Sequence, residues 1–188
     1  MRRFDYFIQD WRYRKVEPYI PIGCRILDIG GFDGSFLSRL RDRIGEGVCI
    51  DPLIKEKNEE KLKFIKFKFS NKLPFLDSSF DVVTMLAVYE HLGSSRELVT
   101  GEIFRGLKKQ GLVLLTVPSH LVDYIEKVFI AVGLADGMSI EEHDLFKSSD
   151  TKVIFEKFGF RLKLLSRFQL GLNNLFIFEK TEDKCQKL

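Results

Sequence analysis

The sequence contains few cysteines, and their arrangement is not typical of a metal site. Cys24, Cys49 and Cys185 are the three cysteines, and there is no Cys-x-x-Cys pair or His/Cys cluster with metal-ligand spacing. Such sparse cysteine usage is typical of reduced thiols in a cytosolic protein. We therefore expect a cytoplasmic protein that binds no metal.

The sequence also lacks long apolar runs, internal repeats and low-complexity stretches. No window approaches the roughly 18 consecutive apolar residues of a membrane span, and the first five residues do not resemble a signal peptide. We therefore expect no transmembrane segment.

The net charge of +3 is too small to indicate nucleic-acid binding by itself. With 45% hydrophobic and 30% charged residues in 188, the composition is typical of one soluble globular domain.

Strand and helix patterns alternate along most of the chain. Apolar residues at positions 4, 7, 8 and 11 have helical spacing, and Pro18 and Pro21 then end this N-terminal segment. The patterns predict strands over 25–29, 47–51, 63–68, 80–86, 111–117, 160–168 and 173–180, and helices over 34–44, 94–108, 120–133 and 148–158. The link between the last two strands is too short for a parallel crossover, so this pair must be antiparallel.

These elements predict an α/β fold, a Rossmann-like three-layer sandwich. Its seven-stranded sheet should be mostly parallel with an antiparallel C-terminal strand. We expect an N-terminal helical extension over 1–20, a main domain over 21–181 and a flexible tail over 182–188. The extension either packs on the sheet or its substrate edge, or presents a surface to a partner or an anionic substrate. Residues 61–69 alternate charged and aromatic side chains, which is typical of an edge strand.

A glycine-rich turn follows the first predicted strand. This strand contains Asp28 and leads into Gly30, Gly31 and Gly34, after which helical spacing begins. Glycines let the backbone approach a ligand closely, and the start of the helix presents free N–H donors. A second short apolar run ends at Asp51, and an acid at this place in a doubly wound sheet binds ribose hydroxyls. The two features together predict a nucleoside-containing cofactor.

Five motifs extend this pattern along the chain. They are the glycine turn at 27–34, the acid Asp51, the segments 73–75 and 79–83 with their continuation at 90–92, the turn at 107–114, and the segment 158–160. In this order they resemble the motifs of class I S-adenosylmethionine-dependent methyltransferases of the small-molecule type, over roughly residues 20–180. The resemblance implies that the main domain is a methyltransferase domain and that S-adenosylmethionine is its cofactor.

The resemblance also implies which residues hold the cofactor. They are Asp28, Gly30, Gly31, Gly34, Asp51, Pro52, Leu53, Ser70, Asn71, Leu86 and Ala87. Alternatively, Asp28 orders the glycine turn through loop amides and touches the cofactor only indirectly. The chain departs from the family pattern at Phe32, which replaces a glycine. Phe32 either crowds the methionine end of the cofactor or points into the packing between sheet and helix. The acid that binds adenine just before residue 73 is also missing, and Asn71 or a backbone carbonyl is expected to replace it.

Three histidines lie in loops predicted at the substrate side of the sheet. His91 is the candidate general base, because it follows the strand whose tip faces the methyl group in this family, and imidazole titrates near neutral pH. His120 and His143 are candidate substrate ligands. The alternative is that these histidines are hydrogen-bonding residues of the scaffold. Glu90 then either orients His91 or caps the next helix.

The function that these features favour is methyl transfer to a small-molecule acceptor. The apolar helical segment 121–134 either packs in the core or covers a hydrophobic or lipid-linked acceptor. We expect no nucleic-acid substrate, because the Asn/Asp-Pro-Pro-Tyr/Phe motif used on base amines is absent after the strand over 80–86. Two alternatives are a non-catalytic cofactor-binding relative and a nucleotide-dependent oxidoreductase of Rossmann type.

Overall fold

The computed structural model describes residues 3–119 and 148–181. Its strands are β1 (Arg25–Ile29), β2 (Glu46–Asp51), β3 (Lys57–Asn58), β4 (Leu62–Lys66), β5 (Phe80–Leu86), β6 (Leu107–Pro118), β7 (Phe160–Phe168) and β8 (Asn173–Lys180). Its helices are α1 (Arg3–Val16), α2 (Ser35–Leu40), α3 (Arg96–Gly106) and α4 (Ser148–Lys157), with 3₁₀ segments at Glu17–Tyr19 and Tyr89–Ser95. Within these residues no helix has the length and apolar character needed to span a membrane. The predicted helix 120–133 and tail 182–188 lie outside the described residues.

Hydrogen bonds join these strands into one sheet in the order β3-β4-β2-β1-β5-β6-β8-β7. β1 is parallel to β2 and β5, β2 is parallel to β4, and β5 is parallel to β6. β8 is antiparallel to both of its neighbours, β6 and β7, as the short link before it requires. The predicted α/β class and the mostly parallel sheet with an antiparallel C-terminal strand are confirmed.

The described residues form eight strands rather than the seven predicted. The additional strand, β3, has two residues and pairs antiparallel with β4. It is too short to produce a periodic pattern in the sequence. Because β3 lies outside β4 in the sheet, β4 is not the edge strand that its alternating side chains indicated.

Two predicted elements differ in length from the observed ones. The helix predicted over 34–44 ends at Leu40. A turn follows, in which the N–H of Ile44 donates to the carbonyl of Leu40 at 3.1 Å. This turn buries Ile44, so the apolar spacing continues beyond the helix. The strand predicted from residue 111 begins at Leu107. Its pairing with β5 shifts register between Phe80 and Val82.

An apolar cluster and helices cover each face of the sheet. On one face, Leu27 of β1 belongs to a cluster with Val99 of α3 and Phe155 of α4. On the other, Ile26 belongs to a cluster with residues of α1 and α2, including Val16, Phe36, Leu37 and Leu40. Side chains alternate between the faces along a strand, so Asp28 points to the side of α1 and α2. The predicted three-layer sandwich is confirmed.

Side-chain hydrogen bonds attach α1 to the rest of the domain near the glycine turn. The Tyr13 hydroxyl and Ser35 Oγ are hydrogen bonded at 2.8 Å, and Ser35 is the first residue of α2. Gln169 Nε2 donates to the carbonyl of Ile8 at 2.7 Å. These contacts place α1 beside the carboxyl ends of the parallel strands, although the domain division at residue 20 stays a prediction.

Candidate functional site

The glycine turn connects β1 to α2 at the carboxyl edge of the sheet. Gly30 and Gly34 have φ of 75° and 71°, which L-residues with a Cβ rarely adopt. A Cβ at Gly34 would lie 2.1 Å from the ring of Phe64, and a Cβ at Gly31 would lie 2.3 Å from Asp28 Oδ2. The turn therefore requires glycine for its own packing, and the absence of a Cβ at residue 31 leaves room for the Asp28 carboxylate directly beside the turn.

Phe32 lies at the outer side of this turn with φ of 49°. Its side chain is 51% exposed, so it does not enter the packing between sheet and helix. It borders two cavities, one of about 190 Å³ and one of about 690 Å³. The backbone N–H of Phe32 donates to Asp51 Oδ2 at 3.1 Å.

Asp51 is the last residue of β2 and is buried. Its Oδ2 accepts the N–H of Phe32, and its Oδ1 accepts the N–H of Leu53 at 2.7 Å. Each carboxylate oxygen accepts about two hydrogen bonds, so both oxygens keep a lone pair for a ligand. The two amides fix the orientation of the carboxylate, which suits it to receive a pair of neighbouring hydroxyls.

Asp28 is almost completely buried, with 1% of its surface exposed. Its Oδ1 accepts the Thr84 hydroxyl at 2.6 Å, whereas its Oδ2 has no partner among the described residues. Burial raises the pKa of Asp28 to about 7, and the hydrogen bond from Thr84 opposes this shift, while the charge of Asp51 adds to it. Asp28 is thus held by β5 and presents one free carboxylate oxygen beside the glycine turn.

The smaller cavity lies at this oxygen and is closed on one side by α1. Its lining comes from α1, the glycine turn and the end of β5, and includes Gln9, Arg12, Tyr13, Asp28, Gly30, Gly31, Phe32, Phe36, Leu86 and Ala87. The structure therefore brings together five of the eleven predicted cofactor residues, namely Asp28, Gly30, Gly31, Leu86 and Ala87. The larger cavity is lined in part by Phe32, Leu53 and Phe64.

Arg12 of α1 is a lining residue that sequence reasoning missed. Its Nε is buried and has no hydrogen-bond partner among the described residues. Burial lowers the pKa of Arg12, and the nearby charges of Glu90 and Tyr13 oppose this shift. Arg12 lies one helical turn after Ile8 on the predicted N-terminal helix, and this spacing was the available signal that it faces the domain.

The other five predicted cofactor residues, Asp51 among them, lie outside these two linings. Pro52 is exposed, and Gly34 is buried where α2 begins. Ser70 and Asn71 are exposed, and the hydroxyl of Ser70 donates to Asn71 Oδ1 at 3.2 Å. Because this bond uses the side-chain oxygen of Asn71, its amide nitrogen is the group oriented away from Ser70.

The three histidines are placed differently with respect to the site. His91 lies in the 3₁₀ segment after β5, is exposed, and donates its backbone N–H to the carbonyl of Val88 at 3.0 Å. It therefore lies at the predicted edge of the sheet, but it does not line either cavity. His120 and His143, like the apolar segment 121–134, lie outside the described residues. Glu90 is buried, and its backbone carbonyl accepts a hydrogen bond from Arg96.

No group of three or more potential metal ligands occurs in the part of the chain that the structure describes. The donor set at the glycine turn consists of two carboxylates, a guanidinium and backbone amides. Carboxylates accept hydrogen bonds from hydroxyl and ammonium groups, and a guanidinium donates to carboxylates. The chemistry of the site is therefore that of an organic cofactor.

Comparisons with known proteins agree with this geometry. A family model described as a methyltransferase domain matches residues 2–165, whereas no curated protein matches the chain significantly. Among solved structures, the PH0226 protein from Pyrococcus horikoshii is similar with a TM-score of 0.74 and 15% identity, covering 96% of this chain and 92% of that one. An S-adenosylmethionine-dependent methyltransferase from Aquifex aeolicus is similar with a TM-score of 0.67 and 15% identity, covering 90% and 89%.

A third similar structure is a complex of the Haloferax volcanii Trm112 methyltransferase activator with a protein described as a methyltransferase. It has a TM-score of 0.72 and 17% identity, and the match covers 95% of this chain and 93% of that one. At these identities the structures show the fold, and the family match shows the membership because it spans most of the chain. This protein belongs to the methyltransferase-domain family, and S-adenosylmethionine is the cofactor that this membership implies.

Proposed function

We propose that this protein transfers the methyl group of S-adenosylmethionine to a small-molecule acceptor. The observation that carries the proposal is the pair of carboxylates at the glycine turn. Asp51 is oriented by two backbone amides, and Asp28, which lines the smaller cavity, has a buried oxygen without a hydrogen-bond partner among the described residues. The first suits the ribose of an adenosyl group, and the second suits the charged end of its methionine.

The size of the two cavities supports the same placement. Small-molecule pockets are typically about 300–1,000 Å³, so the smaller cavity of about 190 Å³ holds only part of a ligand. The larger one, about 690 Å³, has room for a nucleoside. Phe32 borders both, and its N–H binds Asp51. In this proposal Phe32 separates the adenosine from the methionine end rather than blocking the cofactor.

The chemistry that the cofactor supplies when bound is a methyl group on a sulfonium sulfur, which an electron-rich acceptor atom displaces in line. The chain's contribution is then to hold the reactants in position and to exclude water. A base is required only for an acceptor that carries a proton, such as a hydroxyl. We propose His91 as that base, supported by its position directly after β5 at the carboxyl edge.

Exposed aromatic side chains near the site support an apolar acceptor. Tyr6 and Phe7 of α1 are 57% and 59% exposed, on the helix that closes the smaller cavity. Such groups favour a hydrophobic or lipid-linked molecule over a strongly charged one. The modest net charge of +3 supports the expectation that nucleic acid is not the substrate. The cytoplasmic location stays a prediction.

The proposal is tested by calorimetry with S-adenosylmethionine, S-adenosylhomocysteine and NAD. We expect both adenosyl compounds to bind with micromolar affinity, about −8 kcal/mol, and NAD to bind far more weakly. A preference for NAD, or no binding of either adenosyl compound, would contradict the proposal. Binding without any transfer of labelled methyl to a panel of hydroxyl, amine and carbon acceptors would instead favour a non-catalytic relative.

A further inference from the structure

Leu170 is an apolar side chain that the fold leaves open to solvent. It lies in the turn between β7 and β8 and is 90% exposed. Its φ is 56°, and the φ of Gln169 before it is 51°, a left-handed conformation that asparagine and glycine adopt far more readily than leucine. Neither the backbone conformation nor contact with water favours leucine here. An outlier of this kind indicates a functional role.

Hydrogen bonds hold this turn at the carboxyl edge of the sheet. Ser119, directly after β6, donates its hydroxyl to the carbonyl of Gly171 at 2.6 Å. The side chain of Gln169 is buried, and its Oε1 accepts the amide of Asn173 at 2.6 Å. Leu170 is therefore presented from a fixed position, on the same edge of the sheet as the glycine turn.

The helix α1 brings two exposed aromatic side chains to the same corner of the domain. Gln169 Nε2 donates to the carbonyl of Ile8 at 2.7 Å, so the turn and the helix are in contact. Tyr6 and Phe7 directly precede Ile8 and are 57% and 59% exposed. We call Tyr6, Phe7 and Leu170 the apolar corner. Exposed apolar side chains that gather in one place mark an interaction surface.

The elements that carry the apolar corner are basic. α1 has four basic and two acidic side chains, and β7 has three basic and no acidic ones. Glu179 of β8 pairs with Arg161 and Lys163 in the first half of β7, whereas Arg167, near the apolar corner, is exposed. Aromatic and leucine side chains with basic groups around them complement a surface that has an apolar interior and negatively charged headgroups.

We propose that the apolar corner docks on the surface of an anionic lipid bilayer. Leu170 and the rings of Tyr6 and Phe7 enter the boundary between headgroups and acyl chains, and the basic groups of α1 and β7 lie against the headgroups. Docking brings the carboxyl edge, with the cavities at the glycine turn, next to the bilayer. For the acceptor the inference rests on the proposed function, and it then assigns a lipid-linked molecule drawn from that bilayer.

The test is co-sedimentation of the full chain with lipid vesicles. One set of vesicles contains phosphatidylcholine alone, and the other contains an equimolar mixture of phosphatidylcholine and phosphatidylglycerol. We expect the protein to bind the mixed vesicles at least about tenfold more tightly than phosphatidylcholine alone, and to bind them less tightly as salt is added, because salt screens the attraction to anionic headgroups.

Leu170→Asn is the decisive variant, because asparagine suits the left-handed conformation of the turn. We expect it to weaken binding to the mixed vesicles at least about fivefold through the lost apolar area. Its midpoint of urea unfolding should be unchanged or higher, which shows that the variant is folded. Arg167→Gln should weaken binding to the mixed vesicles about fivefold, the contribution of one basic group near an anionic surface.

Ile22→Asn is the matched control. Ile22 is also an apolar side chain on the surface, 83% exposed, but it precedes β1 at the opposite edge of the sheet. Its replacement should therefore leave binding to the mixed vesicles unchanged.

Several results would overturn the inference. They are no binding of the native protein to the mixed vesicles, equal binding to both kinds of vesicle, an unchanged affinity of Leu170→Asn, and an equal loss in Ile22→Asn. A native dimer that Leu170→Asn converts to a monomer, seen by sedimentation equilibrium, would instead assign the apolar corner to a contact between copies of this chain. Calorimetry with S-adenosylhomocysteine in the absence of vesicles tests the proposed function separately, so either one can fail while the other stands.

Discussion

The buried carboxyl of Asp28 should make the stability of the protein depend on pH. Burial raises its pKa to about 7 in the folded chain, against about 3.9 in an unfolded one. Between these values the folded protein holds a proton that the unfolded chain has released, so the free energy of unfolding falls as the pH rises. The free energy of unfolding falls by about 1.4 kcal/mol per pH unit, which amounts to at most about 4 kcal/mol over the pH interval between the two pKa values.

The substitution Asp28→Asn removes this titration and keeps the shape. Its side-chain oxygen still accepts the Thr84 hydroxyl, which donates to Asp28 Oδ1 at 2.6 Å in the native protein. Any cost of burying the new amide is independent of pH. The pH dependence, rather than the stability at one pH, is therefore the quantity to compare.

The measurement is urea unfolding from about pH 5 to about pH 8, without ligand. We expect the native protein to lose about 3 kcal/mol relative to Asp28→Asn over this interval. Asp42→Asn, at an exposed acid that is not among the groups that influence the pKa of Asp28, should follow the native curve. Parallel curves for the native protein and Asp28→Asn would refute the reasoning, because they would show that Asp28 is ionised throughout.

Three further predictions concern the rest of the site. Asp51→Ala should weaken the binding of S-adenosylhomocysteine at least tenfold by calorimetry, since a charge-assisted hydrogen bond contributes about 1.5–3 kcal/mol. Asp42→Ala, at an exposed acid that lines neither cavity, is the control, and unchanged affinity in a folded Asp51 variant would show that the ribose is held elsewhere. Gly34→Ala should lower the free energy of unfolding by at least about 1–2 kcal/mol from its positive φ alone, with more from contact with Phe64; an unchanged denaturation midpoint would disprove this. His91→Ala should lower turnover by roughly 10²–10⁴ on a hydroxyl acceptor with cofactor affinity intact, and a full rate on such an acceptor would exclude it as the base.

The sequence indicated that Asp28, Asp51 and the glycine turn lie at one edge of the sheet, because the relevant signals are local. Asp28 and Asp51 each belong to a short apolar run, and parallel strands bring their carboxyl ends to one edge. The glycine turn was equally visible, because positive φ at Gly30 and Gly34 has a direct counterpart in residue type. The family assignment that these motifs indicated is confirmed.

The walls of the site could not be predicted because they depend on contacts between distant segments. Arg12 reaches the cavity only when α1 docks through Tyr13 and Gln169, and no local pattern encodes that docking. The exposure of Phe32 depends on its backbone conformation, which sequence spacing does not report. Phe64 is another example, because its ring occupies the space that a Cβ at Gly34 would need, although the two residues are thirty positions apart in the sequence.

The position of β8 has a consequence for how the chain folds during synthesis. β8 lies between β6 and β7 and pairs with both, yet among the described strands it comes last in chain order. Until it emerges, the backbone groups along one side of β6 have no partner in the sheet, and β7 has none on the side that β8 later takes. β7 pairs with no other described strand, so the closing step of folding is the addition of the β7–β8 hairpin to the free side of β6. The pairing of β6 with β8 joins segments that are distant in sequence, and such pairing is intrinsically slow. If a ribosome stalls before residue 173, the free side of β6, the longest described strand, is open to pairing with another molecule.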